Sequence, residues 1–310
     1  MKLHKKLLKF VSDNKFRISI LNEIGLFNDM SDEKFLKLMY KTYFNEELNL
    51  DNPKSYNEKI QWIKLHDRNP LYTTLVDKYN VRQYVAKMIG EKYLIPIYGV
   101  YSNVNEIDFS QLPEMFVLKC THNSGKGMCI CRNKSELNEK KCKKQLQLGL
   151  KENYYMHARE WPYKNVPRKI IAEKYLIDDS GEGLRDYKFY CFQGKVKLIL
   201  IVLDRFSSSA TKGIFFTENF ERVDMQWGFE NYDGDIKKPE KFDEMIEISE
   251  KLSKDLVNSR IDLYLAKNNE IYFGEITLFD GSGFEEIVPK KWDYQLGNWL
   301  ALPTDKDEVN

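Results

Sequence analysis

Leu3, Leu7, Leu8 and Val11 recur at helical spacing, and the chain from there to about residue 75 stays helical in period and rather polar. Ser55-x-x-Glu58 is a capping-box signature, and Ile60, Trp62, Ile63 and Leu65 ride on the helix it starts. A second unit opens at Asp77-Lys78, where Tyr79, Arg82, Val85, Ala86 and Ile89 make a helix that stops at Gly90. The pattern then turns strand-like, from Leu94 to Tyr101, over Phe116-Val117-Leu118-Lys119, and through Met128, Cys129, Ile130 and Cys131. The charged stretch 133–152 predicts a solvent-facing helix. Strands are predicted from Lys169 to Leu176 and from Tyr187 to Phe192, continuing through Gly194 to Leu203. Phe242, Met245, Ile246, Leu252 and Leu256 give a helix over about 239–256 one apolar stripe. A hairpin of Arg260 to Leu265 and Glu270 to Phe279 follows. This mixed order predicts α+β lobes rather than a doubly wound parallel sheet, and no internal repeat is present.

Composition narrows the classes. The chain has 310 residues and a net charge of +1, so it lacks the strong basic excess of a dedicated nucleic-acid binder, and no nucleic-acid partner is expected. No run of about twenty apolar residues is present to span a membrane, and the basic start lacks the apolar core of a signal peptide; a cytoplasmic location is expected. The five cysteines, Cys120, Cys129, Cys131, Cys142 and Cys191, suit a reducing compartment, and they are read as small core residues rather than disulfide or zinc partners. A basic first helix suits peripheral contact with an anionic membrane surface or with polysaccharide machinery; docking on the body of the protein is the simpler reading and the one expected.

The segment richest in chemistry is the last hairpin. Asn268-Asn269 suits a two-residue turn with positive φ at both positions. Pairing Lys267 with Glu270 and counting back sets Asp262 opposite Glu275 and Arg260 opposite Thr277, all on one face, with Ile261, Leu263, Leu265, Ile276 and Leu278 toward the core. Carboxylates about 5 Å apart repel, and a hard cation shared with substrate phosphates relieves that cost. An exposed polar face neutralised by Arg260 or Lys267 is the alternative, and a three-residue turn would spoil the register.

Two other segments are weaker alone. In Thr121-His122-Asn123-Ser124-Gly125-Lys126-Gly127, the glycines admit close phosphate approach while Thr121, Ser124 and Lys126 supply donors and charge; Lys119 ends the preceding strand. The spacing is not that of a P-loop, and a flexible hairpin loop explains it equally. Lys169 to Leu176, ending in Glu173, Lys174, Tyr175 and Leu176, offers backbone groups to an adenine edge, and Asp186 a ribose acceptor; an ordinary edge strand is the alternative. His122 is a candidate general base, although a polar loop histidine is usually just solvated.

Together these pieces, in this order, resemble the ATP-grasp superfamily. Asp77-Lys78, Lys119 with its glycine-rich loop, Ile170 to Leu176, Asp186, and Arg260-x-Asp262 with Glu275-x-Thr277 match its phosphate lysines, hinge, ribose contact and metal hairpin. Tyr56-Asn57-Glu58-Lys59-Ile60-Gln61-Trp62, Asp77-Lys78-Tyr79, Lys119-Cys120-Thr121-His122, Asp186-Tyr187-Lys188-Phe189 and Gly274-Glu275-Ile276-Thr277 are similar to the teichuronopeptide-type ATP-grasp family found with capsule and cell-wall polysaccharide genes. The resemblance covers roughly residues 50 to 302. It departs from the wider superfamily at Thr277, where many members carry asparagine, and in a short helical start where many have a Rossmann-like domain.

The resemblance implies two α+β lobes gripping ATP. It divides the chain into a helical region 1–75, an ATP-grasp domain 76–302 and a tail 303–310; the domain comprises a leading segment 76–112, a nucleotide-covering lobe about 113–180 and a metal-binding lobe about 181–302. It implies that Lys78 and Lys119 hold phosphates under the loop Thr121 to Gly127, and that Glu173, Lys174, Tyr175, Leu176 and Asp186 bind the nucleoside. Asp262, Glu275 and Thr277 would hold one or two Mg²⁺, while Arg260, Lys188 and Arg205 stabilise an acyl phosphate. The implied reaction joins a carboxylate, such as a sugar acid or amino acid, to an amine for a surface polysaccharide. A glycosyltransferase of the same pathway, a kinase and a nucleotide-binding module are the competing classes.

Overall fold

The computed structural model describes residues 2–178, 184–203 and 211–303, with side chains from residue 6 onward. Six helices lead: α1 (Lys2–Ser12), α2 (Asn14–Glu23), α3 (Asp32–Phe44), α4 (Tyr56–His66), α5 (Leu71–Val76) and α6 (Val81–Ile89). The expected capping box starts α4: the Ser55 hydroxyl accepts from the Glu58 amide at 3.2 Å, and the Glu58 carboxylate accepts from the Ser55 amide at 3.0 Å.

α1 packs on α2 but leaves Leu7, Leu8 and Val11 exposed, so the expected docking of this face on the body does not occur. α4 does dock, and thoroughly. Asn57, Gln61 and Lys64 lie on one helical face, and their side-chain nitrogens donate to the carbonyls of Glu285 (3.1 Å), Gly283 (2.8 Å) and Ser282 (2.7 Å). Lys59 adds bonds to the carbonyls of Gly297 and Leu300, both at 2.8 Å. The Tyr56-to-Trp62 motif is therefore a clamp on the C-terminal segment. Its apolar face, Tyr56, Ile60 and Ile63, lies in the same core as the main sheet, so the expected boundary at 75 is not a boundary of the core.

One lobe is a four-stranded antiparallel sheet in the order β1-β4-β2-β3, from β1 (Ile97–Tyr101), β2 (Phe116–Cys120), β3 (Met128–Cys131) and β4 (Ile170–Lys174). α7 (Glu139–Leu150) covers it with Cys142, Leu146 and Gly149 and leaves most of its other residues exposed, so the charged stretch holds the expected solvent-facing helix, packed by one narrow face. The short α8 (Tyr155–Ala158) leads from there toward β4. All five cysteines are buried, as their reading as core residues requires.

The other lobe is a seven-stranded sheet formed by β5 (Asp186–Phe192), β6 (Lys195–Leu203), β7 (Lys212–Phe216), β8 (Arg222–Val223), β10 (Glu230–Asn231), β11 (Asn258–Ala266) and β12 (Glu270–Thr277). Its order is β10-β7-β6-β5-β11-β12, with β8 on β7, and β9 (Gln226–Trp227) pairs separately with β13 (Ile287–Val288). α9 (Phe242–Ser253) lays its stripe of Phe242, Met245 and Leu252 into this lobe's core, and α10 (Lys291–Trp299) packs on α4. Each such fully buried large apolar side chain stabilises by roughly 1.5–3 kcal/mol. The lobes meet along the hinge after β4, where Lys174 N donates to Pro96 O at 2.9 Å and Lys267 N to Ile177 O at 2.8 Å.

The metal-hairpin register is Asp262 opposite Glu275 and Arg260 opposite Thr277, as counted from the sequence, but by a different route. The turn is Lys267–Asn269, one residue longer than expected, with Asn268 and Asn269 at φ 62° and 56°, so Ala266 pairs with Glu270. A bulge at Gly274 then absorbs the extra residue and restores the pairing beyond it. Glycine is required there because a Cβ would stand 2.9 Å from Tyr264 Cε2 and 3.0 Å from the Asp262 carbonyl oxygen. Gly274→Ala is expected to cost about 1–3 kcal/mol by overpacking, read as a lower urea midpoint.

Candidate active site

Four carboxylates and two cations meet on the hairpin face. Arg260 chelates Asp262, with Nε 2.7 Å from Oδ1 and Nη2 2.8 Å from Oδ2; Nη2 also reaches Glu275 Oε1 at 3.1 Å, and Nη1 donates to Asp280. Lys188, on the neighbouring strand β5, donates to Asp262 and lies 2.8 Å from Asp186 Oδ2. Burial pushes the Asp262 carboxyl up, and Arg260 and then Lys188 oppose that rise. Thr277 Oγ1 donates to Glu275 Oε1 at 3.3 Å.

The second group comes from the four-stranded lobe. Lys119 pairs with Glu173 at 2.7 Å across two strands of that sheet. Lys78 donates its amide to Thr121 O at 3.1 Å and its ammonium to Asn123 O, which ties it to the base of the glycine-rich loop. Burial lowers the Lys78 ammonium, and the Glu275 carboxylate is the chief opposing charge, followed by Glu173; Lys119 adds to the lowering. Lys78 thus stands between the hairpin and the loop, within electrostatic reach of both.

In that loop Gly125 and Gly127 take φ 80° and 69°, and Gly127 packs so closely that a Cβ would lie 2.6 Å from Cys120 Sγ. Ser124, Gly125 and Lys126 are exposed at the tip, and Lys126 Nζ lies 3.2 Å from Glu152. Lys174 is exposed, Leu176 is buried between the lobes with Ile95, Ala266 and Tyr272, and the Tyr175 hydroxyl accepts from Arg132 at 3.0 Å.

Several expected roles shift. Thr121 is wholly buried and gives its hydroxyl to Pro167 O at 3.0 Å, so it fastens the loop instead of facing phosphate. Asp186 is also wholly buried against Lys188, which places it as that ammonium's counter-charge rather than as a ribose acceptor. Lys188 is held between two carboxylates, Asp186 and Asp262, and so positions Asp262. Arg205 lies outside the described residues. His122 is buried rather than solvated, and burial lowers its ring below the ordinary histidine value.

The sequence reading missed Asp280, whose Oδ2 also accepts from the Tyr190 hydroxyl at 2.7 Å, and the buried Glu160, which accepts from Ser282 Oγ at 2.6 Å. It missed Tyr154 and Tyr163, whose rings lie 4.6 Å apart. The only signal was the turn-rich run Asp280-Gly281-Ser282-Gly283 directly after the metal hairpin; positions 281–283 all have φ between 53° and 62°. Beside that run is a cavity of about 450 Å³ lined by Asn22, Tyr43, Lys126, His157, Ser282 and Glu285, among others. Lys126 is common to the cavity and the loop tip.

A family model described as TupA-like ATPgrasp matches residues 58–301. The chain belongs to this family. Its fold is therefore ATP-grasp, with the two α+β lobes and leading helices described above. D-alanine–D-alanine ligase from Bacillus anthracis is 18% identical, over 66% of this chain and 57% of that one, at TM-score 0.40. D-alanyl-alanine synthetase A from Vibrio cholerae is 11% identical, over 72% and 63%, at TM-score 0.43. N5-carboxyaminoimidazole synthetase from Staphylococcus aureus is 13% identical, over 66% of this chain and 44% of that one, at TM-score 0.38. No curated protein matches the sequence significantly.

The donor set of this ATP-grasp hairpin fits a hard divalent cation: Asp262 and Glu275 converge on one guanidinium nitrogen, and the Thr277 hydroxyl adjoins Glu275. Magnesium asks for only one or two carboxylates when phosphates complete its shell. Glu275, 31% exposed against 1% for Asp262, is the more accessible of the two.

His122 supplies a pH test. Its folded value lies below the ordinary 6.5, so as pH falls through 6.5 the unfolded chain takes up a proton that the folded one does not. Stability from this residue is present above 6.5 and declines below it until the folded value is passed. Melting temperatures between pH 7 and 5 should therefore fall less steeply in His122→Asn than in the parent.

Proposed function

We propose that this ATP-grasp protein is a magnesium- and ATP-dependent ligase that activates a carboxylate as an acyl phosphate and passes it to an amine. The observation that supports this reading is the setting of Lys78: its ammonium donates to Asn123 O at the base of the glycine-rich loop, and Glu275 of the hairpin is the chief charge opposing the lowering that burial imposes on it. That setting suits phosphate-binding cations acting beside a metal-binding carboxylate.

Lys78 and Lys119 hold the nucleotide's phosphates, while the exposed tip Ser124–Lys126 lies over their far end. Asp262, Glu275 and Thr277 would hold magnesium, which when bound would supply charge that neutralises the phosphates. Arg260 holds Asp262 and Glu275 together, and its guanidinium is the cation proposed to stabilise the oxyanion that develops on acyl transfer. Tyr154 and Tyr163 exclude water from the same place, which protects an acyl phosphate from hydrolysis.

The carboxylate and amine meet in the cavity beside Gly281 and Ser282, at the end marked by Lys126. Its stacked Tyr43 and Phe284 rings, 5.6 Å apart, give an apolar wall, and Asn22, Ser282 and Glu285 give hydrogen-bonding groups. That mixture suits a small polar substrate such as an amino acid or a sugar acid. The family resemblance supports a role in building a surface polysaccharide, working from the cytoplasmic side.

The decisive assay measures ADP and free phosphate with a panel of uronic and amino acids, each with an amine. Phosphate release that needs both substrates supports the ligase. A phosphorylated product without free phosphate assigns a kinase, and no ADP under any pairing overturns both. Glu275→Ala should lower ADP formation by a factor of about 10² or more while leaving the melting curve in place. Tyr43→Ala should raise KM for one of the two co-substrates several-fold and leave KM for ATP unchanged.

A further inference from the structure

We propose that α1 seats the protein on an anionic lipid surface. Stepping at 100° per residue, the helix places Lys6 and Lys9 along one side, and Leu7, Phe10 and Val11, with Leu8 at the edge, along the other. No acidic residue interrupts it. Leu7, Leu8 and Val11 are 62%, 57% and 69% exposed, although α1 packs on α2.

The charge identifies the occupant. The whole chain carries only +1, yet these eleven residues hold four lysines, so positive charge is concentrated beside the uncovered apolar stripe. A bilayer interface with anionic headgroups meets both demands at once, taking the leucines below the headgroups and the ammonium groups at their level. A second copy of the helix would cover the leucines but would bring two rows of lysines together. The helix is short, and no helix among the described residues is long and apolar enough to cross a membrane, so the attachment is reversible and sensitive to salt. Such seating would hold the cleft near substrates that carry lipid.

The test is co-sedimentation of the full chain with vesicles of phosphatidylcholine containing about one-third phosphatidylglycerol, against phosphatidylcholine alone. The anionic vesicles should bind roughly tenfold or more tightly, and 0.5 M salt should remove most of the difference. Leu7→Asp with Val11→Asp should reduce binding to the neutral-vesicle level with an unchanged melting curve. Lys6→Glu with Lys9→Glu should do the same without touching the apolar stripe. Equal binding to both vesicles, binding to neither, or a dimer in sedimentation velocity that the aspartate variant dissolves would each overturn the proposal. The outcome is independent of whether ADP is formed.

Discussion

Crowding of carboxylates is the constraint around which the hairpin is organised. Asp186, Asp262, Glu275 and Asp280 approach one another with two of them wholly or almost wholly buried, an arrangement that needs positive charge against their repulsion. Arg260 and Lys188 make the arrangement stable by sharing: Asp262 belongs to both cations, Asp186 to Lys188, and Glu275 and Asp280 to Arg260. Removing either cation would leave the remaining one to balance Asp262 alone and the cluster with an excess of negative charge, which is expected to destabilise the fold. The same sharing fixes direction, because a guanidinium that chelates Asp262 can reach Glu275 only when both point across the same face.

The second constraint is mechanical. Residues 281–283 adopt left-handed backbone conformations, one of them a serine, so this loop is not a shape the chain adopts by default. It is held by α4, whose Asn57, Gln61 and Lys64 grip three consecutive stretches of its carbonyls, and by Glu160, which receives the Ser282 hydroxyl. Lys64 is fully buried, and burial pushes its ammonium down to about 7 while Glu160 opposes the shift. A helix far back in sequence thus shapes the wall of the cavity.

The hairpin pairing was legible from Arg260, Asp262, Glu275 and Thr277, yet the count succeeded because two departures cancel: Asn268 and Asn269 sit in a three-residue turn, and Gly274 bulges. Period-two alternation carries no mark of such a pair. The capping box at Ser55, the loop glycines and the core cysteines were readable because each rests on local geometry. The roles of Thr121, Asp186 and Lys188 were not, because residue type says which groups can bond and not which partner is nearest. Asp280 and Glu160 were invisible for the same reason, since their partners lie 20 and 122 residues away in sequence. The uncovered face of α1 was misjudged because helical spacing reveals a stripe without saying what meets it.

These pairings bear on selectivity under the proposed reading. Lys119 is paired with Glu173, and Lys78 is balanced chiefly by Glu275, so the phosphate-binding cations are already partnered by carboxylates. A bare anion that recruited those lysines would strip Glu173 and Glu275 of their compensation, and much of its attraction would be cancelled. A metal–nucleotide complex brings charge of both signs: phosphates take the lysines while the metal takes Glu275. Each partner surrendered is replaced in the same event. On the proposed reading, this pairing would discriminate against free phosphate and favour the loaded nucleotide, with Arg260 as the fixed point about which the exchange would occur.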